Sequence, residues 1–181
     1  MATIIDLIGS FVIIGAVMLT IFALTTNLNQ ASYNKSFSTT TQTNATTLAR
    51  VLDYDIVKIG YHTSKPAMII AKTDSMSFKA DLLDDGNVKT VQYFLGSTSG
   101  MSNTKNPRDK VFYRIEGGKT IAMGLGVTGI QFSYYNNDGF ATAALDSIKS
   151  IRVKITIESA TPVDTSYSVI SWQKRFYPKN L

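Results

Sequence analysis

The most restrictive feature of this chain is its first 34 residues, which carry only one side chain that is charged at neutral pH, Asp6. From Ile4 to Leu24 the sequence reads IIDLIGSFVIIGAVMLTIFAL. A membrane-spanning helix needs about 20 predominantly apolar residues, and this run reaches that length. It is longer than the apolar stretch of a secretory signal peptide, about 7–15 residues, and no Lys or Arg precedes it. The sequence therefore predicts a retained transmembrane helix.

The segment after the apolar run is polar but holds no strong helix breaker. Residues 25–47 contain neither Gly nor Pro, although their Thr, Ser and Asn residues are poor helix formers. They form either a polar continuation of the helix or a melted connector. Helical periodicity then resumes, because the next apolar residues lie close to one face: Leu48, Val51, Leu52, Ile56 and Ile59. We expect one long helix that ends near Gly60.

From Ala67 onward the sequence is typical of β-strands. The run from Ile151 to Glu158 alternates apolar residues with polar ones such as Arg152 and Lys154. Such alternation predicts an antiparallel sheet with one buried side and one solvent-facing side. β-branched and aromatic residues are enriched in the following segments: AMIIAK, SMSFKAD, VKTVQYFLG, KVFYRIEG, KTIAMG, TGIQFSYYN, IKSIRVKITIES and YSVISWQKRFY.

These patterns predict an α+β fold, in which a long N-terminal α-helix with an apolar first half is packed on an antiparallel β-sheet head. We expect residues 1–30 to form the apolar transmembrane helix. Residues 31–62 would form a polar connector and the amphipathic half of the helix, and residues 63–181 a β-rich globular head. Residues 96–110 form a long polar loop, which is a candidate surface feature of the head.

The charge distribution and the lack of cysteine limit the functions open to this chain. One of the 13 acidic residues is Asp6, so residues 35–181 hold 18 basic and 12 acidic side chains. The basic residues are spread through the predicted strands, whereas nucleic-acid binding usually needs a concentrated basic face. We therefore expect no specific nucleic-acid binding, and a basic head fits a position near anionic lipid headgroups. Without cysteine, disulfides, zinc–thiolate sites and thiol nucleophiles are excluded.

Motifs that could indicate catalysis or cofactor binding have simpler structural interpretations. His62 is the only histidine, so a metal cluster or a Ser-His-Asp triad lacks supporting residues. The acidic turn 81–87 lacks EF-hand spacing. Residues 124–129 match GxGxxG, but a predicted strand rather than a helix follows them. Aromatic residues at strand spacing indicate core and cross-strand pairs. No enzyme activity, cofactor or metal is predicted.

Asp6 is an unfavourable residue in a membrane helix, because inserting a carboxylate at the middle of a bilayer costs about 2.5–3.5 kcal/mol. One interpretation is that Asp6 lies in the headgroup region and is favoured there by the helix dipole. The alternative is that it pairs with the positive α-amino group of a neighbouring subunit during assembly. The residues alone leave both interpretations open.

The N-terminal pattern resembles that of type IV pilins and type II secretion pseudopilins. After processing, those proteins begin with a pattern like F-T-L-I-E-L and an apolar helix, and here residues 2–7 read ATIIDL. The resemblance implies that Asp6 takes the role of the family's glutamate and Ala2 that of its first mature residue. We expect Met1 to be lost, which would leave a free amine at Ala2. Later stretches are similar in order to minor pilins and pseudopilins: LARVLDYDIVKIGY, DSMSFKADLLDDGNVKTVQYFLG, IRVKITIES and WQKRFYPKNL.

The resemblance implies a structural subunit of a helical filament, a type IV pilus or a pseudopilus. Such a subunit waits in the bacterial inner membrane and then polymerises through its apolar helix at the cell surface. Its partners would be further copies, other pilin-like subunits and the assembly machinery. The alternative function is a monomeric, membrane-anchored domain for surface binding or adhesion.

Two glycines interrupt the apolar run, Gly9 and Gly15. Small residues let transmembrane helices approach closely, and glycine can also start local melting of a helix in a filament. The third interpretation is that these glycines are simply tolerated, as glycine often is in membrane helices.

Overall fold

A single helix dominates the N-terminal third of the chain. In the computed structural model, which describes residues 2–64, 66–162 and 165–181, helix α1 runs without a break from Ala2 to Val57. The Thr-rich stretch is a polar continuation of this helix. Its threonine hydroxyls donate to the carbonyl four residues earlier, as in the bond of 3.0 Å from Thr43 to Thr39. This bond satisfies the hydroxyl without opening the helical ladder.

The helix ends close to the position that the sequence predicts. A turn over residues 58–62 follows Val57, and Gly60 adopts a φ of 78° there. A Cβ atom at Gly60 would lie 2.7 Å from the backbone oxygen of Asn180. Glycine is therefore needed both for the left-handed conformation and for the close approach of the C-terminal segment.

The head is one antiparallel sheet of seven strands whose spatial order follows the sequence. Short 3-10 helices occur at Thr98–Met101 and Leu145–Ser147. The strands are β1 (Met68–Ala71), β2 (Ser75–Ala80), β3 (Lys89–Leu95), β4 (Lys110–Glu116), β5 (Lys119–Tyr135), β6 (Ser150–Glu158) and β7 (Val169–Phe176). The predicted α+β architecture is confirmed.

One strand differs from the sequence prediction. The segments KTIAMG and TGIQFSYYN, which the sequence separates, form the single 17-residue strand β5. Val127 is where β5 changes partner, because it pairs with Lys110 of β4 and with Ile157 of β6. Gly126 permits this change with a φ of 76°, and a Cβ atom there would collide with the backbone oxygen of Glu158. The GxGxxG match therefore lies inside a strand.

The core lies between the second half of α1 and the inner side of the sheet. Leu48, Leu52 and Ile56 are fully buried on one face of α1, as is Ile59 in the turn that follows it. The helix packs mainly against β7, β5 and β6. On β6 the odd-numbered residues from 151 to 157 are buried, whereas Arg152 and Lys154 are not. The alternation in the sequence thus assigns the two sides of the sheet correctly.

A buried ionic network joins α1 to the centre of the sheet. Asp55 is 1% exposed, and its carboxylate accepts hydrogen bonds from the Tyr93 hydroxyl and, at 2.6 Å, from Arg114 Nε. Arg114 also donates to Glu116 at 2.8 Å, and Lys89 donates to the same carboxylate at 3.1 Å. Every charge in this network has an opposite charge beside it, as a buried charge requires.

The pKa values of the network follow from its burial and its charges. Burial, reinforced by the charge of Asp55, raises the pKa of Tyr93 well above its usual value, so the hydroxyl stays protonated and donates. Burial disfavours the charged form of Arg114, but the hydrogen bonds to Asp55 and Glu116 outweigh it and raise the pKa of Arg114. Arg114 is therefore charged and Tyr93 neutral at neutral pH, and their bonds to Asp55 hold α1 at one position on the sheet.

Replacing Asp55 with Ala should lower the free energy of unfolding by about 3 kcal/mol, because it leaves the Arg114 guanidinium buried without its partner. Asp53→Ala is the matched control on the same helix, since it removes only the half-exposed ion pair of 2.8 Å with Lys174. That loss should cost less than about 1 kcal/mol. Denaturant titration of the full chain in detergent, followed by near-UV circular dichroism, measures both. Equal losses would show that the buried network does not anchor the helix.

Candidate assembly surface

The first half of α1 is an apolar surface that the rest of the described chain does not cover. Its most apolar window has a mean hydropathy of 2.6, and none of that window is buried. Every large apolar side chain from Ile4 to Leu28 is more than half exposed. By length and composition this helix could cross a membrane, as some signal sequences and some core helices of soluble proteins could. A core helix would be buried, and this one is not.

The two halves of α1 meet different surroundings. The first buried residue on the helix is Thr41. Between the end of the apolar run at Leu24 and Thr41, the polar part of the helix extends about 25 Å at 1.5 Å per residue. The apolar run is therefore held at a distance from the head by a helical spacer. Monomeric soluble proteins rarely expose an apolar patch of this extent, so lipid or other protein must cover it.

Asp6 lies within this apolar surface, about one turn from the start of the helix. Its side chain is exposed, and its carboxylate has no hydrogen-bond or ion-pair partner among the described residues. Ser10 donates to the backbone oxygen of Asp6 at 2.8 Å and leaves the carboxylate free. The Ala2 side chain and the whole of Met1 lie outside the described residues. A charge in this position needs a partner from outside the chain once water is excluded.

Neither glycine of the apolar run is required by the fold of a single chain. A Cβ atom at Gly9 or at Gly15 would have no atom of the chain within 4 Å. Gly9 lies three residues after Asp6 and so shares its face of the helix, whereas Gly15 lies six residues further on and faces another direction. The structure thus brings Gly9 and Asp6 together on one face and leaves Gly15 apart.

Replacing Gly9 or Gly15 with Ala should leave the single chain folded, and should favour the helix by up to about 1 kcal/mol. If either glycine permits close approach or melting in an assembly, the Ala variant should assemble less, although its head melts at an unchanged temperature. Filament yield together with the melting temperature measures this. Unchanged yield for both variants would leave ordinary tolerance of glycine as the explanation.

The polar loop at residues 96–110 is fastened to the head rather than free. Asn106 donates to Glu158 at 2.9 Å and to the backbone oxygen of Ser159 at 3.2 Å. Arg108 forms an ion pair of 2.7 Å with Glu158. The hydroxyl of Tyr167 donates to the backbone oxygen of Lys105 at 3.1 Å. The loop therefore presents a fixed surface.

One carboxylate in this loop is unfavourably placed. Asp109 is 1% exposed, and neither of its carboxylate oxygens has a hydrogen-bond partner. Burial is the largest cause and raises the pKa of Asp109; the nearby Thr104 side chain lowers this pKa in part, and the charge of Glu158 raises it further. Such a shift means that ionised Asp109 destabilises the folded head at neutral pH.

Asp109→Asn should therefore stabilise the protein, by about 1 kcal/mol at neutral pH. The folded-state pKa is raised, so the penalty appears as the pH rises above the unfolded value near 3.8 and is complete above the folded-state value. The advantage of the variant should accordingly shrink as the pH falls towards that unfolded value. Urea titrations at several pH values measure it, with Asp138→Asn in an exposed turn as the control. A stabilisation that does not depend on pH would contradict the assignment.

A group of potential metal ligands appears that the sequence does not suggest. Nδ1 of His62 lies 3.1 Å from Oδ2 of Asp81 and 3.7 Å from Oδ1 of Asp84, and the ligand atoms of all three lie within 4.8 Å of one another. Asp81 is already occupied by hydrogen bonds from the backbone of Asp85 and Gly86. Burial works against its charge, but these bonds and the one with His62 lower the pKa of Asp81. The group closes the acidic turn onto the end of α1.

The register of the sheet also brings together basic residues that lie far apart in the sequence. Arg152 of β6 lies directly opposite Arg175 of β7, and Lys154 lies opposite Gln173. Period-two alternation in β6 correctly places Arg152 and Lys154 on the outer side. The pairing with β7 depends on a long-range register that one sequence does not reveal.

Comparisons with protein-family models, with curated proteins and with solved structures find no match to this chain. The architecture itself, a long N-terminal apolar helix laid on an antiparallel sheet, is pilin-like.

Proposed function

We propose that this chain is a structural subunit of an extracellular helical filament, of the type IV pilus or pseudopilus kind. The observation that carries the proposal is the divided helix α1. Its second half is locked to the head by apolar packing and by the Asp55 network, whereas its first half has an apolar surface without a covering partner among the described residues. A rigid helix of this kind places the apolar surface at a fixed position relative to the head.

Two environments can cover the apolar side chains in the first half of α1. Before assembly the lipid of the bacterial inner membrane surrounds residues 4–24, and afterwards the same residues of neighbouring copies do so in the centre of the filament. Lipid tails are about as apolar as Leu side chains, so the hydrophobic effect does not favour one environment strongly over the other. Packing between helices, contacts between heads and the work of an assembly machinery then decide the transfer. After assembly the filament lies at the cell surface.

In this proposal Asp6 sets the axial position of each apolar helix relative to its neighbours. An unpaired carboxylate inside a bundle of apolar helices is penalised at every offset at which no positive group faces it. Pairing with the α-amino group at the start of a neighbouring helix removes the penalty at one offset only. Because the carboxylate and the amine lie on different subunits in a head-to-tail arrangement, the contact is heterologous and produces an open polymer.

The same helix would also suit a plain membrane anchor for a monomeric binding domain. That alternative needs no charge at position 6, and the exposed Asp6 carboxylate would then be only a cost to insertion. The filament proposal gives this residue a role, and we prefer it for that reason. The two functions differ in what the intact chain does outside the membrane.

Asp6→Ala should leave membrane insertion and the melting temperature of the head unchanged, because neither the sheet nor its contacts with α1 involve this residue. It should reduce the yield of sheared filaments at least tenfold. Asp6→Glu, which keeps the charge, should retain much of the yield, whereas the neutral Asp6→Asn should behave like the Ala variant. A normal yield of filaments from Asp6→Ala would contradict the pairing role of Asp6. A wild-type chain that never polymerises would favour the membrane-anchor function.

A further inference from the structure

The outer side of the sheet carries a compact cluster of two arginines and two tyrosines. Arg152 and Arg175 face each other across β6 and β7. Their guanidinium carbons lie 5.0 and 4.1 Å from the centre of the same ring, that of Tyr135 on β5. Arg175 also lies 5.4 Å from the ring centre of Tyr177. These four residues together with Ser150 are called the basic–aromatic cluster below.

The cluster holds its arginines in place without an anion. Nε and Nη2 of Arg175 donate to the hydroxyl oxygen of Ser150 at 3.0 and 2.8 Å, and Ser150 is 1% exposed. Neither Arg152 nor Arg175 has a carboxylate partner in the described part of the chain, whereas Arg108 has one and Arg114 has two. Like charges directly opposite each other in a sheet are unfavourable. The tyrosine rings offset part of this repulsion, and an external anion would remove more of it.

The neighbouring outer residues do not supply that anion. On β6 the outer positions before Glu158 are Ser150, Arg152, Lys154 and Thr156, and on β7 they are Ser171, Gln173 and Arg175. Glu158 is already paired with Arg108. Lys154, which is exposed, adds a third positive charge to this side of the sheet. Among the residues that the structure describes, no carboxylate therefore compensates the positive charge of the cluster.

If α1 stands upright in the bilayer with its apolar run inside it, lipid headgroups lie too far from the cluster to be the anion. Lys174, the residue next to Arg175, forms an ion pair of 2.8 Å with Asp53. The helix from Leu24 to Asp53 is about 44 Å long at 1.5 Å per residue. This is several times the Debye length of about 8 Å at physiological salt. The partner must come from outside the membrane surface.

The chain itself carries a matching negative surface in the turn between β2 and β3. Asp84 and Asp85 are exposed there. The turn is fixed, because the Tyr54 hydroxyl donates to the backbone oxygen of Leu82 at 2.6 Å and the Tyr61 hydroxyl donates to Asp84 at 3.0 Å. Both surfaces are thus connected to the C-terminal end of α1 and to the turn that follows it. They belong to different strands of the sheet, and no ion pair joins them within the described chain.

We propose that the basic–aromatic cluster of one subunit binds the acidic turn at Asp84 and Asp85 of a second copy of this chain. This inference rests on the proposed filament function and names the contact between heads. Parallel subunits in a filament place their heads next to one another, so that one surface of a head can face the other surface of its neighbour. Two different surfaces form the contact, which can therefore repeat from subunit to subunit without closing. Carboxylates facing guanidinium groups form the stronger, charge-assisted hydrogen bonds.

Charge reversal tests the contact in the full chain, expressed in cells that assemble the wild-type filament. Arg152→Glu and Asp85→Lys should each lower the yield of sheared filaments by about tenfold, the factor that corresponds to losing one charge-assisted contact. The double variant should restore most of the yield, because it exchanges the two charges. Lys105→Glu is the matched control of equal charge change on another part of the head, and should leave the yield unchanged. Unchanged melting temperatures exclude a folding defect in the variants.

Cross-linking provides a second measurement on the same filaments. The chain contains no cysteine, so a double variant with Arg152→Cys and Asp85→Cys has only the two introduced thiols. A short bis-maleimide should link it into a ladder of multimers, whereas each single cysteine variant should stay monomeric on a denaturing gel. Filaments that resist both charge reversals and give no ladder would overturn this contact while leaving the filament function intact. A wild-type chain that forms no filament would overturn both.

Discussion

The division of helix α1 into a covered half and an uncovered half is the constraint on which the rest of this molecule depends. The covered half packs its apolar stripe, from Leu48 to Ile56, into the inner side of the sheet. The uncovered half presents apolar side chains in every direction. Because the helix is continuous between them, the position of one half fixes the position of the other. A flexible connector at the Thr-rich stretch would have removed this coupling.

Continuity through the Thr-rich stretch has a physical cause that composition alone obscures. Threonine is a weak helix former when isolated, and the bonds from Thr43 and Thr47 to carbonyls one turn earlier satisfy the hydroxyls without strengthening the helix. Packing of the following turns on the sheet supports the helix from its C-terminal side. Helices in proteins draw most of their stability from such tertiary contacts.

Sequence patterns predict the long helix, its apolar first half and the antiparallel sheet, because these features depend on local periodicity. They predict a feature less well where it depends on pairing between residues that are distant in the sequence. Strand β5 appears as two strands because Gly124 and Gly126 resemble turn residues, and only its change of partner at Val127 reveals a single strand. The same limit applies to the candidate sites. Asp6 is visible in the sequence as a lone charge, whereas the opposition of Arg152 and Arg175 depends on the register of β6 and β7.

Charge serves three different purposes in this chain, according to where it lies. The Asp55 network is buried and fully paired, and it holds the helix on the sheet. The arginines of the basic–aromatic cluster have no carboxylate partner among the described residues, and the acidic turn exposes Asp84 and Asp85, which suits contacts between copies. Asp6 is a single charge on an apolar surface. Unpaired, it destabilises an apolar environment, and paired with an amine of a neighbouring subunit it would fix the axial position of the helix. Together these charges would set the axial position of each subunit in the filament and the surface of the neighbour that it contacts.

Electron microscopy of material sheared from producing cells, with the subunit identified by mass spectrometry, tests the central claim most directly. The account predicts fibres that contain this chain as a repeating subunit, with α1 in the centre and no surrounding lipid. Recovery of the chain only as single molecules in membrane vesicles would contradict it.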